Sequence, residues 1–539
     1  MKIAGVWSGH DCSYYISENG RPVVHAEYER YIREKEPPGD SVQFMLDEHG
    51  DGCGDIKYLA TCYPDHKLLD YKESFGKIKN IVEKNDGEVF FFGHHLAHAA
   101  NTFFSSNFSD ALILTVDGGG VESPGFATSC TVWQGEANKI EHIHSFPIDR
   151  INVGGVWTRA TRYIFKLQSG WPRGHQAGTV MAMAAFGDPE RYFDDFYRML
   201  TKDISLASHK PSNQPRGAYT GNDPVHPYLN PWVELAEQDE QNKFDLAAGL
   251  QSATEMLLKQ ILEQVLKKTN SKHLCLSGGV TLNSVAVGKI RSWFPQIEDI
   301  YVTPVPHDGG LPVGAAQYVW HQILDNPRIK WEDNFIPYLG YQYDNIETTL
   351  ENYQDRLEYK KTDDDTVVEL LSKGNIISVF GGGSESGRRA LGNRSILADP
   401  RRKDMKELIN EKVKHRQWFR PFAPSILREE VGNWFTEDKS SPYMSFVLQF
   451  KEEMKEKVPA VVHHNGSARL QTVTENDNKW YYNFIKKWHD KSGVPIVLNT
   501  SFNDREPICE TAEHGIDCFL RTNIDYLYFY DENILVRKK

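Results

Sequence analysis

Apolar positions along this chain follow two rhythms, one of strands and one of helices, and the switches between them outline its elements. Residues 2–7 read as a strand that ends in the polar turn SGHDCS. Residues 14–16 resume it, Glu18-Asn19-Gly20 is a hairpin signal, and 22–26 run on. The outline recurs: 111–116 is a continuous apolar run that stops at Asp117 before three glycines, then 126–133 and a turn at Gln134-Gly135 follow. The intervening HHLAHAANTFF looks helical. Residues 244–269 place Leu246, Leu250, Leu257, Leu258, Ile261, Leu262 and Val265 at helical spacing and predict a strong amphipathic helix. A short strand at 273–276 meets Ser277-Gly278-Gly279-Val280, predicted to open the next helix with Asn283 one turn in. Another strand, 300–305, leads into PHDGGLPVGAA. Gly174-His175-Gln176-Ala177-Gly178-Thr179, before the apolar run 180–185, reads as a cleft loop or the start of a helix. Residues 205–237, rich in Pro, Asn, Ser and Gly, read as a surface excursion. A boundary is placed near residue 340, and 375–380 is a strand ending in a long glycine- and arginine-rich loop.

The repeated order of strand, small-polar turn, strand, hairpin and strand predicts an α/β domain of duplicated lobes, each with a turn facing one cleft. That is the outline of the actin/sugar-kinase/chaperone ATPase (ASKHA) superfold; coincidence between two ordinary meanders is the alternative. His94 and His98 are four apart and share one helical face. Asp117 ends an apolar strand at a glycine turn, where α/β proteins hold phosphates and metals, and Gly118 and Gly119 belong to that turn. Two imidazoles and a carboxylate supply three of four ligands for a divalent metal, and Asp308, again between a strand and two glycines, is the candidate fourth. The bland readings are a packed histidine pair beside a β-turn and an aspartate capping the helix that starts near Pro312. Gly278 and Gly279 let backbone amides approach a phosphate or nucleoside, with helix packing as the alternative.

Composition narrows the classes. The 539 residues imply two or more domains, and 40% hydrophobic with 25% charged is an ordinary globular balance. No run approaches the roughly 20 apolar residues of a membrane span, and the start carries no signal-peptide pattern. Seven scattered cysteines without a CxxC favour reduced thiols in a cytoplasm. A net charge of −13 argues against a general nucleic-acid surface and sits more easily with a small or cationic partner.

The cations of the second half gather in glycine-rich loops: Arg388, Arg389, Arg394, Arg401 and Arg402, then Lys414, Arg416 and Arg420, with Arg469 in NGSARLQTV. Nearby stands the small polar set Asn499, Thr500, Ser501 and Asn503. Guanidinium groups beside glycine turns suit a phosphate dianion through bidentate, charge-assisted bonds. The competing reading is a solvated basic face paired with Asp399, Asp404 and Glu407.

HHLAHAA, VDGGG, LSGGVTLN, PHDGGLPVGAA, SESGRRALGNRSILADPR, VKHRQWFRPFAPS, ARLQTV and VLNTSFN...EPI together resemble the O-carbamoyltransferases of the NodU/CmcH type. That family includes aminoglycoside, cephem and nodulation-factor carbamoyltransferases. The motifs are colinear from ERYIREK to NIDYL and cover nearly the whole chain. The resemblance implies two domains: residues 1–340 as an actin-like metal- and nucleotide-binding carbamoyl-transfer domain, and 341–539 as a YrdC-like α/β domain for carbamoyl phosphate and ATP. It implies His94, His98, Asp117 and Asp308 as ligands of a divalent metal, usually Fe2+ in relatives, although Zn2+ or Mn2+ suits the same donors. It places Arg389, Lys414, Arg420, Arg469 and Ser501 around carbamoyl phosphate and the nucleotide. Asn499 joins them, and Gly278, Gly279 and Asn283 are assigned to the adenosine. Many relatives carry a lysine where Thr179 aligns, which puts contacts there in doubt.

The implied chemistry is activation followed by transfer. Carbamate from carbamoyl phosphate attacks the α-phosphorus of ATP with Mg2+, giving carbamoyl-adenylate, whose AMP is a good leaving group. An acceptor hydroxyl then attacks the carbonyl carbon. Lys414 and Arg420 act on the phosphate, and His10 and Asp11 in the first turn are candidate acceptor orienters or a general base, or simply stabilise the turn. The acceptor is a hydroxyl-bearing small molecule of unspecified identity; a modified nucleobase stays open, as does a homodimer. The competing functions are a small-molecule kinase of the actin-like superfold, a tRNA threonylcarbamoylation-type enzyme, and a non-catalytic ATP- and metal-dependent regulator.

Overall fold

The computed structural model describes residues 1–63, 72–167, 176–201 and 230–539. The chain divides into two compact units, Met1–Glu29 with Lys35–Trp331 and Arg30–Glu34 with Glu332–Lys539.

The first unit contains two five-stranded sheets of one design. In the first, β1 (Lys2–Trp7), β2 (Ser13–Glu18) and β3 (Arg21–Glu27) form an antiparallel meander. On the other side of β1 lie β4 (Ile56–Thr61) and β5 (Glu88–Phe91), both parallel. The second repeats this with the meander β6 (Asp110–Ser123), β7 (Phe126–Glu136) and β8 (Lys139–Pro147), and with β9 (His273–Ser277) and β10 (Asp299–Val302) added in parallel. Both sheets thus have the order third, second, first, fourth, fifth. This is the duplicated, actin-like lobe arrangement expected from the repeated strand pattern.

Local expectations need four corrections. The three glycines after Asp117 are not the hairpin turn. β6 runs through them to Ser123, and the turn falls at Pro124-Gly125. Pairing jumps from Val116–Cys130 to Gly120–Thr128, so Asp117, Gly118 and Gly119 form a bulge that swings the aspartate out of the ladder. Gln134 and Gly135 lie inside β7, paired with Leu112 and Ala111. The glycines after β9 open a short 3-10 turn, Gly279–Leu282, and Asn283 is the N-cap of the Ser284–Trp293 helix, its side chain accepting from the Ala286 N–H at 3.2 Å. Of the segment read as an excursion, Asn230–Gln238 is helical and 205–229 lies outside the described residues, as do Gly174 and His175. Among the described residues, no helix is long and apolar enough to cross a membrane.

The His94–Ser105 helix packs against β6 and the Leu311–Tyr318 helix. It drives Phe103 and Phe104, both fully buried, into the core beside Ile113, Trp133 and Cys275. Each such ring contributes about 3 kcal/mol by burial, which fixes the helix and therefore the imidazoles on its first turns.

The second unit is built on one mixed sheet of eight strands. In chain order these are β11 (Leu357–Lys361), β12 (Ile377–Phe380), β13 (Arg394–Ala398), β14 (Ala423–Leu427), β17 (Gln471–Val473), β18 (Ile496–Ser501), β19 (Tyr526–Phe529) and β20 (Ile534–Lys538); β15 (Val447–Gln449) and β16 (Ser467–Arg469) pair separately. The Lys479–Ser492 helix buries Tyr481, Phe484, Ile485 and Trp488 against one cluster of its core. Arg30–Glu34 belongs to this unit: Arg33 donates to the Pro507 and Ile508 carbonyls at 2.6 and 2.7 Å.

Candidate functional site

In the first unit, four predicted side chains converge. His94 and His98 come from the first turns of their helix, Asp117 from the β6 bulge, and Asp308 from the Asp308–Gly310 turn before the Leu311–Tyr318 helix. His98 Nε2 lies 3.2 Å from His94 Nε2 and 3.1 Å from Asp117 Oδ2. Asp308 Oδ1 is 3.5 Å from each imidazole, and His94 Nε2 is 3.7 Å from Asp117 Oδ2. The four donor atoms all lie within 4.8 Å of one another. Bonds of about 2.0–2.2 Å to nitrogen and oxygen give a tetrahedron with edges of about 3.3–3.6 Å, so the donor set fits a divalent ion in number, chemistry and spacing. Asp308 caps neither its turn nor the following helix.

The surroundings hold this set in place. Ser277 Oγ lies 3.3 Å from His98 Nδ1, an outer partner that orients the ring. Gly120 is required by close approach: a Cβ there would meet His94 ring carbons at 2.2 Å. His95 is fully buried but turns away, with Nδ1 2.9 Å from Thr115 Oγ1 and Nε2 3.0 Å from the Thr128 carbonyl. Its backbone N–H donates to Glu122, so a carboxylate closes the helix start. Burial, His94 and His98 push the His95 imidazole down to about 3, whereas for His98 the desolvation cost is outweighed by Asp117 and Asp308, which raise it to about 9.

Two of the four glycines expected to meet phosphate or nucleoside hold the aspartate. Gly118 N–H donates to Asp117 Oδ1 at 2.5 Å, and Gly279 N–H donates to Asp117 Oδ2 at 3.2 Å. Gly119 takes φ +142° and Gly278 φ +95°, as bulge and turn demand. Asn283 also exchanges bonds with Gln251, at 2.7 and 3.2 Å. Thr179 is buried and donates to Gln176 Oε1 at 3.1 Å.

His10 and Asp11 adjoin the cluster. His10 Nδ1 lies 2.9 Å from Asp11 Oδ2, and its Nε2 lies 3.3 Å from Asp308 Oδ2. Sequence reasoning missed two neighbours: His307 Nε2 stands 3.4 Å from Glu27 Oε1 and 3.8 Å from Asp11 Oδ1. The signal was the histidine directly before Asp308.

In the second unit the basic residues separate into two groups. Arg401 is bidentate to Asp399, Arg402 pairs with Asp404 at 2.6 Å, and Arg394 is fully buried, donating to the Gly381 and Gly382 carbonyls over the Phe380 ring. The paired-surface reading holds for Arg401 and Arg402, and Arg394 is a structural strut. Arg389, Arg416, Arg420 and Arg469 behave differently. Burial first, then Arg469, Arg388 and Arg420, hold the Arg389 guanidinium well below its usual range. Burial, Arg416 and Arg420 press Arg469 down to about 10, and burial does the same to Arg420. Among the described residues, no carboxylate pairs with Arg389 or Arg469; the charges that act on them are other arginines. Guanidinium does not give up its proton in proteins, so these downward pressures register as charge held out of water, with repulsion from neighbouring arginines added at Arg389, Arg416 and Arg469.

A buried amide network carries the Arg389 loop. Asn499 donates to the Ala390 carbonyl, Ser425 Oγ and Gln471 Oε1, each at 3.0 Å, and Gln471 donates to the Leu391 carbonyl at 2.8 Å. Glu385 Oε1 accepts from the Leu391, Asn393 and Arg394 N–H groups at 2.7–3.2 Å. Glu385 and Gln471 were not found by sequence reasoning. Neither was His463, whose imidazole burial and Arg469 hold at about 3. Lys414 sits apart from the arginines in its bonding: its buried ammonium donates to the Ser501 carbonyl and, at 2.8 and 2.7 Å, to the Asn503 carbonyl and Oδ1. Ser501 Oγ donates to Asn503 Oδ1 at 2.7 Å.

Fold and clusters together define a two-unit α/β protein with an imidazole–carboxylate centre in one unit and a guanidinium centre in the other. Profiles described as Carbamoyltransferase N-terminus and Carbamoyltransferase C-terminus match residues 55–317 and 368–538. Nodulation protein NolNO of Sinorhizobium fredii is 32% identical over 96% of this chain and 78% of its own length. An uncharacterized protein of Synechocystis sp. is 30% identical over 98% and 95%, and Nodulation protein U of Sinorhizobium fredii is 27% identical over 93% and 94%. The chain belongs to the carbamoyltransferase family and is an enzyme of that class. Among solved structures, full-length HypF in its phosphate- and nucleotide-bound form aligns at 13% identity and TM-score 0.36, over 61% of this chain and 56% of that one. The ROK hexokinase of Thermus thermophilus aligns at 13% identity and TM-score 0.30, over 59% and 98%.

Proposed function

We propose that this enzyme is an ATP-dependent O-carbamoyltransferase whose two parts divide the reaction. Residues 341–539, read as YrdC-like, bind carbamoyl phosphate and ATP and make carbamoyl-adenylate. Residues 1–340 transfer the carbamoyl group to a hydroxyl of a small-molecule acceptor. The observation that carries the proposal is the buried set Arg389, Arg416, Arg420 and Arg469, desolvated cations of which Arg389 and Arg469 have no carboxylate partner among the described residues. A phosphate dianion supplies the missing counter-charge and accepts paired N–H donors from a guanidinium.

A carbamate is a poor electrophile because its leaving group is poor, and that is what ATP corrects. Water cleaves carbamoyl phosphate to carbamate and phosphate, with one proton released; a carbamate oxygen then attacks the α-phosphorus of ATP, and pyrophosphate leaves with the bonding pair. The arginines stabilise the negative charge that develops on the phosphoryl oxygens. Asn499 and Gln471 hold the Ala390 and Leu391 carbonyls and so position the adjoining Arg389. Lys414 fixes the Ser501–Asn503 segment as a positioning residue.

In the first unit, the acceptor hydroxyl attacks the carbamoyl carbon, AMP departs, and the hydroxyl proton passes to the Asp11 carboxylate, oriented by His10. His94, His98, Asp117 and Asp308 would hold a divalent ion, iron by resemblance, with zinc and manganese suited to the same donors. Such an ion supplies Lewis-acid polarisation of an oxygen on the carbamoyl donor. The seven unbonded thiols suit a reducing cytoplasm.

The test is product analysis with ATP, magnesium and carbamoyl phosphate. AMP and pyrophosphate appearing only with carbamoyl phosphate is the expected result. ADP in their place, or no pyrophosphate even with a mixed pool of hydroxyl compounds, overturns the proposal.

A further inference from the structure

Two cysteines of the second unit lie together outside both clusters. Cys509 follows β18, Cys518 sits on the Ala512–Arg521 helix, and both are fully buried. Their sulfurs and one carboxylate oxygen of Glu506 all lie within 4.8 Å of one another. The Cys509 thiol donates to the His514 carbonyl at 3.3 Å. In an α-helix that carbonyl serves the N–H of residue 518, so the thiol rests against the turn that carries Cys518.

The charges around the pair decide what it is suited to do. Glu506 is engaged by two guanidiniums, Arg33 at 3.5 Å and Arg521 closer still. A divalent ion would have to draw that carboxylate from both arginines, and the group offers three donors where a closed site uses four. The same arginines suit a thiolate. Burial and the Glu506 carboxylate oppose ionisation of Cys509, but contact with Cys518 and the Arg33 and Arg521 charges outweigh them and bring its thiol down; Cys518 is held up. Of the two thiols, Cys509 is the one whose ionisation its neighbours favour, which makes it the attacking cysteine and Cys518 the resolving one.

We propose that Cys509 and Cys518 form a reversible dithiol–disulfide couple closed by a hydroperoxide. The Cys509 thiolate attacks the terminal peroxide oxygen, the O–O bond breaks, and a sulfenic acid and water (or an alcohol) result after one proton is taken up. The Cys518 sulfur then attacks the sulfenic sulfur, its proton leaves with the hydroxide as water, and an S–S bond forms. Two thiols lose two electrons and the peroxide gains them. A disulfide is about 2.05 Å long, so closure draws Cys509 toward the helix. The loop that moves is tied to β18: the Cys509 N–H donates to the Phe502 carbonyl at 3.0 Å, and Asn503 Nδ2 donates to the Glu506 carbonyl at 2.7 Å. Asn503 also holds Lys414, so closure reaches a residue that fixes the end of β18.

The experiment is peptide mapping of the folded full-length protein after brief exposure to a small excess of hydrogen peroxide, with alkylation under denaturing conditions. Two of the seven thiols should be lost, in a Cys509–Cys518 cross-linked peptide that dithiothreitol reverses. In C518S the attacking thiol should instead be trapped by dimedone as a sulfenic acid at Cys509. The proposal fails if both residues stay alkylatable while other cysteines oxidise. It also fails if the cross-link forms only after circular dichroism reports unfolding, or if the protein binds zinc stoichiometrically and loses it in C509S. The wild-type map decides the matter even where C518S does not fold.

Discussion

The cluster at His94, His98, Asp117 and Asp308 and the cluster at Arg389, Arg416, Arg420 and Arg469 differ in whether their own charges answer one another. In the first, imidazoles face carboxylates at 3.1–3.7 Å, and Asp117 and Asp308 favour the protonated form of His98. In the second, fixed positive charges face each other. On the proposed reading, a divalent ion bound in the first would displace the proton whose presence on His98 the carboxylates favour. In the second, the buried cations Arg389 and Arg469 have no carboxylate partner among the described residues, and on the proposed reading a bound anion would supply the counter-charge. A residue that lowers stability in the free protein while serving the ligand is the mark of a functional site.

The largest effect is expected at Arg469. Arg469→Met should cut carbamoyl phosphate-dependent pyrophosphate release by about 10²–10³-fold, the usual cost of one donor to developing charge. The same change should raise the ligand-free thermal midpoint, because one of the repelling charges is gone. Differential scanning calorimetry showing a lower midpoint would erase the contrast. Next in size, His98→Ala should weaken metal binding by at least about 100-fold, since even outer partners of a metal ligand are worth about 10–100-fold. Metal analysis together with an acceptor-free pyrophosphate assay checks this, and the pyrophosphate rate should stay at the wild-type value. Lys414→Met leaves buried acceptors at Ser501 and Asn503 without their donor, and should cost about 1–3 kcal/mol in urea unfolding of the second unit. The KM for carbamoyl phosphate should hardly move; a KM rise without a stability loss would return Lys414 to the phosphate. Smallest is the response of metal affinity to pH. A metal needs neutral His98, which its carboxylates hold protonated up to about 9. Affinity should therefore fall as pH falls, by about tenfold per unit below pH 9 for the one proton displaced, and competition with a chelator at pH 6.5, 7.5 and 8.5 measures it.

What the sequence disclosed was chemistry carried by neighbours along the chain. His94 and His98 share a face because helical spacing is local, and Asp117 and Asp308 stand out because each adjoins glycines at a strand's edge. The repeated strand pattern gave the two sheets their common order. What stayed hidden depended on partners far along the chain. The bulge at Asp117–Gly119 exists because β6 continues to pair with β7, and three glycines read alone say turn. Arg394, Arg401 and Arg402 look like Arg389 in the sequence, yet their uses are set by the Gly381 and Gly382 carbonyls, Asp399 and Asp404. The bonds that Lys414 makes to Asn503, nearly ninety residues on, could not be read from its own motif. Gln471 and Glu385 gave no motif, because holding a loop by buried amide and carboxylate bonds leaves no spacing to recognise.

The most direct measurement of the central claim is calorimetric titration of carbamoyl phosphate into the wild type, Arg389→Met and His98→Ala. Binding should vanish in Arg389→Met and persist at wild-type strength in His98→Ala. Retained binding in Arg389→Met, or its loss in His98→Ala, would contradict the assignment of carbamoyl phosphate to the arginine cluster.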